Sequence, residues 1–296
     1  MFRRERPPED LIGFVRTTEA LGFDEVWIVE DCFWAGGLTA VSAALASTER
    51  ISVGMGIVAV VTRNAAVTAM ELAGIARLFP DRFTVGFGHG LASWMRQIGA
   101  FPASQLVALE ETIDAVRRML DGELVNVDGL HVHLHNVRLV FPPMKRPPIV
   151  VGVTGPKGID VTARVADGLL LPEGSSPAYV RAAVQRLVRP ACCVVYVLFS
   201  VDDDSEVARA KVAGAIDEFA PGEVDDRLAK LGIVESVAVA DRIDRYAVAG
   251  TPFECARAID ALVAAGATSV VVVPQPLDHE SQLQRFMADV LPLVGR

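Results

Sequence analysis

The chain has 296 residues, of which 51% are hydrophobic and 22% are charged, with a formal net charge of −9. This composition suits one large apolar core and excludes a disordered chain. The negative charge argues against nucleic acid and anionic membranes as partners, and no apolar run reaches the ~18 residues that span a bilayer. The N-terminus, MFRRERPPED, lacks the apolar segment of a secretory signal. We therefore expect a cytoplasmic protein that acts on a small molecule.

Strand and helix patterns alternate along the whole chain. Nearly continuous apolar runs, typical of parallel strands covered on both faces, predict seven strands. They are 24–30, 51–59, 83–89, 148–153, 168–172, 191–201 and 268–274. A first helix follows Pro7–Pro8 and ends at Gly22. Further helices are predicted at 39–47, 67–78, 103–121, 156–166, 178–188, 253–265 and 280–293.

Two segments interrupt this alternation. Residues 124–139 predict a small hairpin with Asp128–Gly129 at its turn. Residues 202–248 predict a long, mostly helical excursion before the last strand. Because no linker or low-complexity tract divides the chain, we expect one domain spanning residues 1–296.

Repeated β-α units form either an open doubly wound sheet or a closed barrel. Seven strands without a change of composition between the halves favour the α/β class with a (β/α)8 barrel. The two insertions then follow the fourth and seventh barrel strands. A barrel needs an eighth strand, so the first strand is either a stub at 1–3 or begins upstream of Met1.

Four cysteines, Cys32, Cys192, Cys193 and Cys255, show no C-x-x-C spacing. Cys192, Cys193 and Cys255 are expected to be reduced, buried thiols that behave as small hydrophobic side chains. Cys32 is set apart, because it is the only thiol expected near the barrel mouth.

The ends of the strands carry the candidate functional residues, because chemistry in a barrel gathers where the βα loops begin. Glu30 and Asp31 follow one strand and are succeeded by aromatic residues, including Trp34. Two acids beside flat side chains suit a site that moves protons next to a planar ring. Alternatively, either acid caps the next helix or pairs with an arginine.

Glycines mark the next two strands. Gly54 and Gly56 lie within a strand, which indicates a bulge or a close backbone approach, and Arg63 follows as a possible phosphate or carboxylate ligand.

Gly86, Gly88 and Gly90 alternate around His89, so a ligand could lie against bare backbone there. His89 could act as an acid, a base or a hydrogen-bonding group, or simply bond to a neighbour. The spacing is not that of a dinucleotide fingerprint.

The turn GVTGPKG at 152–158 feeds the N-terminus of a helix and is a ready anion site, which Lys157 would strengthen. It lacks the G-K-[ST] ending of a P-loop, so nucleotide triphosphate hydrolysis is not supported. The alternative is ordinary capping of the helix.

Three histidines, His131, His133 and His135, share one face of the predicted hairpin strand. Because no acid is expected nearby to complete a metal site, they are interpreted as an exposed polar face, and no metal is expected.

Five motifs in register cover roughly residues 8–275: GFDEVWIVED, GMGIVAVVTRN, RFTVGFGHG, GVTGPKGIDVTARVADGLLLPEG and GTPFECARAIDALVAAGATSVVV. Together they resemble the luciferase-like oxidoreductase superfamily, in particular the branch of methylenetetrahydromethanopterin reductase. That branch uses the deazaflavin coenzyme F420, whereas other branches use FMN. The resemblance implies a barrel enzyme of this type, and a homodimer.

The resemblance also implies roles for individual residues. Gly56–Ile57 matches the place of a non-prolyl cis peptide that lies against the cofactor ring. Glu30 and Asp31 match an acid and histidine pair that faces the reactive ring carbon. The remaining matches are Thr154, Gly155, Pro156 and Lys157 at the cofactor phosphate, with Gly88, His89 and Gly90 along its tail and ring edge. Trp34 and Trp94 are candidate walls for a flat substrate.

Two residues depart from the family pattern. Several F420 members have a histidine where this chain has Asp31, and sugar-oxidising members have a glutamate where it has Leu91. Sugar-phosphate dehydrogenation is therefore not expected.

Three functional hypotheses follow. The first is a hydride-transferring oxidoreductase that uses F420 or, as second choice, FMN. The second is a barrel that binds flavin or F420 without turnover. The third is a lyase or hydrolase, which would need a metal cluster or a nucleophile such as Cys32.

Overall fold

The computed structural model describes residues 1–187, 191–219, 229–232, 242–275 and 279–295. Its strands are β1 Glu25–Ile28, β2 Ser52–Ala59, β3 Phe83–Gly88, β4 Val125–Asp128, β5 His133–Val137, β6 Ile149–Gly152, β7 Gly168–Leu171, β8 Cys192–Val201, β9 Ala247–Gly250 and β10 Ser269–Pro274. Its helices are α1 Leu11–Ala20, α2 Gly37–Ala46, α3 Ala65–Leu78, α4 Ala92–Gln97, α5 Gln105–Leu120, α6 Pro156–Val165, α7 Pro177–Gln185, α8 Ser205–Phe219, α9 Arg242–Tyr246, α10 Pro252–Ala264 and α11 His279–Arg285.

The main sheet is parallel, with strand order β1-β2-β3-β6-β7-β8-β10. A stub at the N-terminus closes it into a barrel. The Phe2 amide donates a 2.8 Å hydrogen bond to the Trp27 carbonyl of β1. The Met1 amino group donates to the Val272 carbonyl of β10, at 3.1 Å. The predicted α/β class and (β/α)8 barrel are confirmed, and the first strand is the short stub.

The barrel strands are apolar because both of their faces are covered. In β2, β3, β7 and β8, residues such as Val53, Val85, Leu169 and Val195 have no exposed surface. Removing each such side chain from water stabilises the fold by about 1.5–3 kcal/mol. The strands are thus packed on both faces, and the irregular backbone lies towards their C-terminal ends.

The predicted hairpin is present as antiparallel β4 and β5. Glu111 of α5 holds it, because its carboxylate accepts hydrogen bonds from the amides of Leu130, His131 and Val132 at 2.8–3.0 Å. His133 and His135 are exposed, as the polar face requires. Across the described part of the chain, no cluster of three possible metal ligands occurs.

Three elements differ from the predicted ones. The excursion contains the helices α8 and α9, but Ala247–Gly250 forms strand β9 beside residues 198–201 of β8. A run of four small residues is too short for its periodicity to distinguish a strand from a helix. Helix α4 was not predicted, and the last helix is broken: after α11 the chain forms a π-turn at Phe286–Val290 and a 3₁₀ turn at Leu291–Leu293. Residues 188, 220–228 and 233–241 of the predicted elements lie outside the described residues.

All four cysteines are free thiols. Cys193 and Cys255 are buried as expected, whereas Cys32 and Cys192 are partly exposed. Among the described residues, none of the helices combines the length and apolar character needed to cross a membrane.

The Glu111 clamp generates a prediction about stability. Burial disfavours its charged form, but the three amide donors outweigh burial and hold the pKa of Glu111 below its usual value. Its stabilising effect is therefore fully present above the unfolded-state pKa and is lost as the pH falls through the folded-state pKa. Glu111→Gln should lower the free energy of unfolding by about 1–3 kcal/mol at pH 7.

Urea unfolding of both proteins between pH 3 and pH 7 measures this effect. The difference between wild type and variant should shrink towards pH 3. Glu110→Gln is the matched control, because Glu110 makes only an exposed ion pair with Arg164. A constant difference at every pH would contradict the clamp.

Candidate functional site

A cavity of about 640 Å³ opens at the C-terminal ends of the barrel strands. This volume is in the range of small-molecule and cofactor sites. Most of its lining residues follow β1, β2, β3 and β6. The predicted site residues that line this cavity are Glu30, Asp31, Gly56, Ile57, His89, Gly90, Trp94, Thr154, Gly155, Pro156 and Lys157. Gly88, Arg63 and Trp34 do not line it.

A bulge in β2 forms the floor of this cavity. The pairing of β2 with β3 shifts register between Met55 and Val58, and the Gly56–Ile57 peptide bond is cis, as the resemblance implied. The Cys32–Phe33 bond is also cis. The bulge thus presents Gly56 and Ile57 to the interior of the barrel mouth.

The side chain of Ile57 fills the space that neighbouring glycines leave. A Cβ on Gly86, Gly88 or Gly152 would lie 3.2, 2.9 or 3.0 Å from Ile57 carbons. The glycines of β3 were interpreted as bare backbone against which a ligand could lie. At Gly86 and Gly88, however, the side chain of Ile57 lies in the space beside the backbone. Sequence spacing shows where space is needed and not which group occupies it.

Glu30, which lines the cavity, is held by an ion pair. Its two carboxylate oxygens accept hydrogen bonds from Arg63 at 2.6 and 2.7 Å. One of these oxygens also accepts from the Gly37 amide at the start of α2, at 2.8 Å. Both alternatives considered for an acid at this position, a cap and an arginine partner, therefore occur at Glu30. Arg63 acts on the cavity through Glu30.

Asp31 lies at the mouth and pairs with Arg4 at 3.0 Å. Burial raises the pKa of Asp31 above its usual value, and the positive charge of Arg4 only partly opposes this. Its carboxyl group is therefore better able than an ordinary aspartate to exchange a proton near neutral pH.

His89 projects into the cavity after β3. Burial lowers the pKa of His89, opposed by a hydrogen bond with the backbone of Gln105. Its Nδ1 atom is buried and has no hydrogen-bond partner. A neutral imidazole with one unengaged nitrogen can bond to a ligand.

The other end of the cavity is the N-terminus of α6. Gly155 is its N-cap and gives no side-chain cap, and Pro156 occupies the first helical position. The first amides of a helix have no partner within it, so those of Lys157 and Gly158 are available to an anion. A Cβ on Gly155 would meet no atom within 4 Å, which leaves room above this turn. Lys157 is exposed, and no carboxylate in the described part of the chain pairs with it.

Trp34 was expected to form a wall, but the structure places it outside the cavity. Its side chain is 57% exposed, and the guanidinium of Arg4 lies 5.8 Å from the centre of its ring. Trp94 does line the cavity, beside Met95 and Leu106.

A second cavity, of about 490 Å³, adjoins the first. The two share the wall formed by Asp31, Gly56, Ile57, Gly152 and Thr154. Tyr196 of β8 lines the second cavity and was missed in the sequence. Its hydroxyl is one of two in a largely apolar strand covered on both faces, the other being that of Ser200, and a polar group in such a strand could have drawn attention to it.

Comparisons with known proteins show the family to which the chain belongs. The family model for luciferase-like monooxygenases matches residues 3–269. A 5,10-methylenetetrahydromethanopterin reductase of Methanolobus tindarius is 27% identical, over 90% of this chain and 90% of the relative. An F420-dependent glucose-6-phosphate dehydrogenase of Kineococcus radiotolerans is 25% identical, over 97% of this chain and 93% of the relative.

Among solved structures, an F420-dependent secondary alcohol dehydrogenase in complex with an F420–acetone adduct superimposes with a TM-score of 0.83. It is 19% identical, and the match covers 99% of this chain and 96% of that one. This likeness shows that the two chains share a fold.

The contact between the bulge and Tyr196 generates a prediction. A Cβ on Gly56 would collide with the Tyr196 hydroxyl, while the next atoms, on Leu170 and Trp27, would be 3.1 and 3.2 Å away. Gly56→Ala should therefore destabilise the protein by about 1–3 kcal/mol. Tyr196→Phe removes the hydroxyl and should recover a large part of that loss in the double variant.

Denaturant unfolding of the two single variants and the double variant measures the coupling. Gly155→Ala is the control, since Gly155 has φ −89° and open space around its Cβ position. Additive effects of the two substitutions would show that Gly56 and Tyr196 are not in contact.

Proposed function

This chain belongs to the luciferase-like monooxygenase family, and we propose that it transfers a hydride between coenzyme F420 and a small organic substrate. One observation carries the proposal. The first cavity joins a bulged, cis-peptide floor to a helix N-terminus without a side-chain cap, beside a lysine that no carboxylate of the described residues pairs with. That combination fits a ligand with a flat ring at one end and a phosphate towards the other.

The residues fit such a cofactor group by group. Gly155, Pro156 and Lys157 would hold the phosphate, through helix amides and the lysine charge. Gly56 and Ile57 would support the ring, with His89 and Gly90 at its edge. The Nδ1 atom of His89, which is buried and has no hydrogen-bond partner, would bond to the ring edge. FMN has the same two ends and is the second candidate.

When bound, F420 or FMN supplies or accepts a hydride. A substrate that gains a hydride must also take up a proton to balance the charge, and oxidation reverses both transfers. Asp31 and His89 are the proposed proton-exchanging groups, because each lines the cavity and has a perturbed pKa. Glu30 is proposed to position the loop after β1, since Arg63 and Gly37 occupy both of its oxygens.

The relatives named above act on different substrates, and the rim of this cavity disfavours one of them. Leu91, an exposed apolar residue, stands where sugar-oxidising relatives are expected to have a glutamate. We therefore propose a substrate other than a sugar phosphate.

Cofactor binding is the first test of the proposal. F420 and FMN are titrated separately into the purified protein, and fluorescence reports binding. Reduced and oxidised cofactor are then offered a panel of enones, imines, ketones and alcohols. Failure of both cofactors to bind would refute the proposed function, and binding without exchange on any substrate would leave a cofactor-binding barrel.

Lys157→Ala should weaken binding of a phosphate-bearing cofactor by about 1–3 kcal/mol, because one charge-assisted contact is lost. Fluorescence titration gives the dissociation constants. Lys145→Ala is the matched control, since Lys145 pairs with Asp81 away from the cavity. An unchanged dissociation constant for the Lys157 variant would remove this residue from the site.

In the oxidising direction, in which Asp31 must accept a proton, Arg4→Ala should shift the acidic limb of the pH–rate profile to higher pH. Arg4 lowers the pKa of Asp31 against the larger effect of burial, so its removal raises that pKa further. The profile of kcat/KM against pH measures the shift. Arg6→Ala, in the same segment, pairs with Asp10 and should leave the limb in place. An unshifted limb in the Arg4 variant would mean that Asp31 does not control the rate.

A further inference from the structure

Asp31 lines both cavities, so its carboxyl group can be reached from two sides. A cofactor and a substrate in the first cavity would exclude water from one of these sides. Gly56, Ile57, Gly152 and Thr154 belong to the wall that the two cavities share, and they keep the contents of the second cavity apart from the cofactor ring. The second cavity is therefore suited to exchange protons with Asp31 rather than to hold the reacting molecule.

Two hydrogen-bond donors in the second cavity lack partners. Tyr196 is 4% exposed, and its hydroxyl has no hydrogen-bond partner. The Nε2 atom of Gln275 is also buried without one. Buried polar groups in native proteins are almost always satisfied by protein atoms or by water, and a cavity of about 490 Å³ has room for several water molecules. Water is therefore a ligand that these two donors suit.

The Tyr196 hydroxyl lies against the shared wall and within the electrostatic reach of a second carboxylate. A Cβ on Gly56 would collide with this hydroxyl, which places it at the bulge. Next to burial, the charge of Glu173 is the largest cause that raises the pKa of Tyr196, so this carboxylate acts on the hydroxyl. Glu173 follows β7, lines the same cavity and is partly exposed. The cavity thus connects Asp31 at the wall with a carboxylate that solvent reaches.

A tyrosine hydroxyl can pass a proton on without becoming charged. Its oxygen accepts a hydrogen bond from one water molecule while its O–H group donates to the next. Burial, assisted by the charges of Glu173 and Glu25, raises the pKa of Tyr196 well above its usual value, so the hydroxyl stays neutral between transfers. Tyr196 is therefore suited to link two water molecules and not to store a charge.

The charges of the lining suit one exchangeable proton. The charged side chains are Arg3, Arg4, Glu5, Asp31 and Glu173. Arg3 pairs with Glu5 at 3.0 Å, and Arg4 pairs with Asp31 at 3.0 Å. Burial lowers the pKa of the Met1 amino group to about 5, so this group adds no charge near neutral pH. Three carboxyl groups thus face two guanidinium groups, and the lining is neutral when one carboxyl group holds a proton.

We propose that the second cavity holds a chain of water molecules that carries protons between solvent and Asp31, with Tyr196 as a link and Glu173 as the group that exchanges with solvent. The inference rests on the proposed hydride transfer. In reduction, Asp31 gives its proton to the substrate and is left as a carboxylate.

The chain of waters then restores the proton of Asp31. Glu173 takes a proton from solvent and gives it to the nearest water, and each O–H along the chain passes its proton one place further. The hydroxyl of Tyr196 gives up its own proton as it accepts the next, and the last water protonates Asp31. One proton thus leaves solvent for each hydride transferred, and oxidation moves protons in the opposite direction.

Hydration of the cavity can be measured without turnover, because the chain has three tyrosines. Protein labelled with 3-fluorotyrosine should give three ¹⁹F resonances, assigned by the loss of one in Tyr196→Phe and another in Tyr246→Phe. With F420 bound, replacement of H₂O by D₂O should shift the Tyr196 resonance, because water lies against its hydroxyl. The resonance of Tyr246, which is buried and lines neither cavity, is the control and should move less.

Kinetics of the F420-loaded enzyme test the relay itself, with a substrate that the wild type turns over. Glu173→Gln should lower kcat by at least about tenfold, because a proton-transfer group is lost. The solvent isotope effect should rise, since proton delivery then limits the rate. The F420 dissociation constant should stay unchanged, because Glu173 does not line the first cavity. Glu123→Gln is the matched control, since Glu123 pairs with Arg118 and lines neither cavity.

Imidazole buffer separates a relay from a merely structural role. Imidazole titrates near neutral pH and is small enough to enter the cavity, so it should restore kcat of the Glu173 variant in proportion to its concentration. The wild type should not respond. The limb of the pH–rate profile that Asp31 controls should keep its position, because Glu173 is not among the groups that shift the pKa of Asp31.

The outcomes separate the two proposals. If neither F420 nor FMN binds, the proposed function fails, and the relay that serves it fails as well. If the wild type turns over a substrate and Glu173→Gln keeps the wild-type kcat, only the relay is wrong. A loss that imidazole does not restore, or a Tyr196 resonance that is insensitive to D₂O, would overturn the relay equally and leave the hydride transfer standing.

Discussion

The contact between Ile57 and the glycines of β3 and β6 is the constraint on which the rest of the site depends. The bulge in β2 turns Ile57 into the barrel mouth, where its side chain packs against Gly86, Gly88 and Gly152. A Cβ on Gly88 or Gly152 would lie 2.9 or 3.0 Å from Ile57 carbons and press on that side chain, whereas a Cβ on Gly86 would first meet the Met55 carbonyl, at 2.5 Å. With Ile57 fixed, the mouth is divided into two cavities that share one wall, and each cavity acquires its own set of polar groups.

Electrostatics differ between the two sides of this wall. The first cavity ends at helix amides and a lysine without a carboxylate partner in the described residues, which favours an anion. In the second, arginines and carboxylates are paired with one another. Asp31 lines both cavities. Its carboxyl group is therefore exposed to both spaces.

Much of the fold could be predicted from the sequence, because parallel strands covered on both faces are continuous apolar runs. The strand β9 could not, since four small residues carry no periodicity. For the site, the sequence predicted which strand ends carry the residues but not which groups their side chains contact. Arg63 and Trp34 follow the correct strands, yet Arg63 reaches Glu30 and Trp34 turns outward beneath Arg4. These outcomes depend on pairings between residues about 30 positions apart, which one sequence without its fold does not specify. Tyr196 was missed because its strand was interpreted only as core.

The short first strand has a consequence for the cooperativity of the barrel. Adjacent strands elsewhere are joined along three or more residue pairs, whereas β1 and β10 meet through hydrogen bonds of the stub. Arg3 of this stub also lines the second cavity. A molecule in this cavity would contact both sides of the seam and would need the seam to be closed. Occupancy and closure would then be thermodynamically linked, and such a ligand would suppress local opening of the barrel in proportion to its saturation.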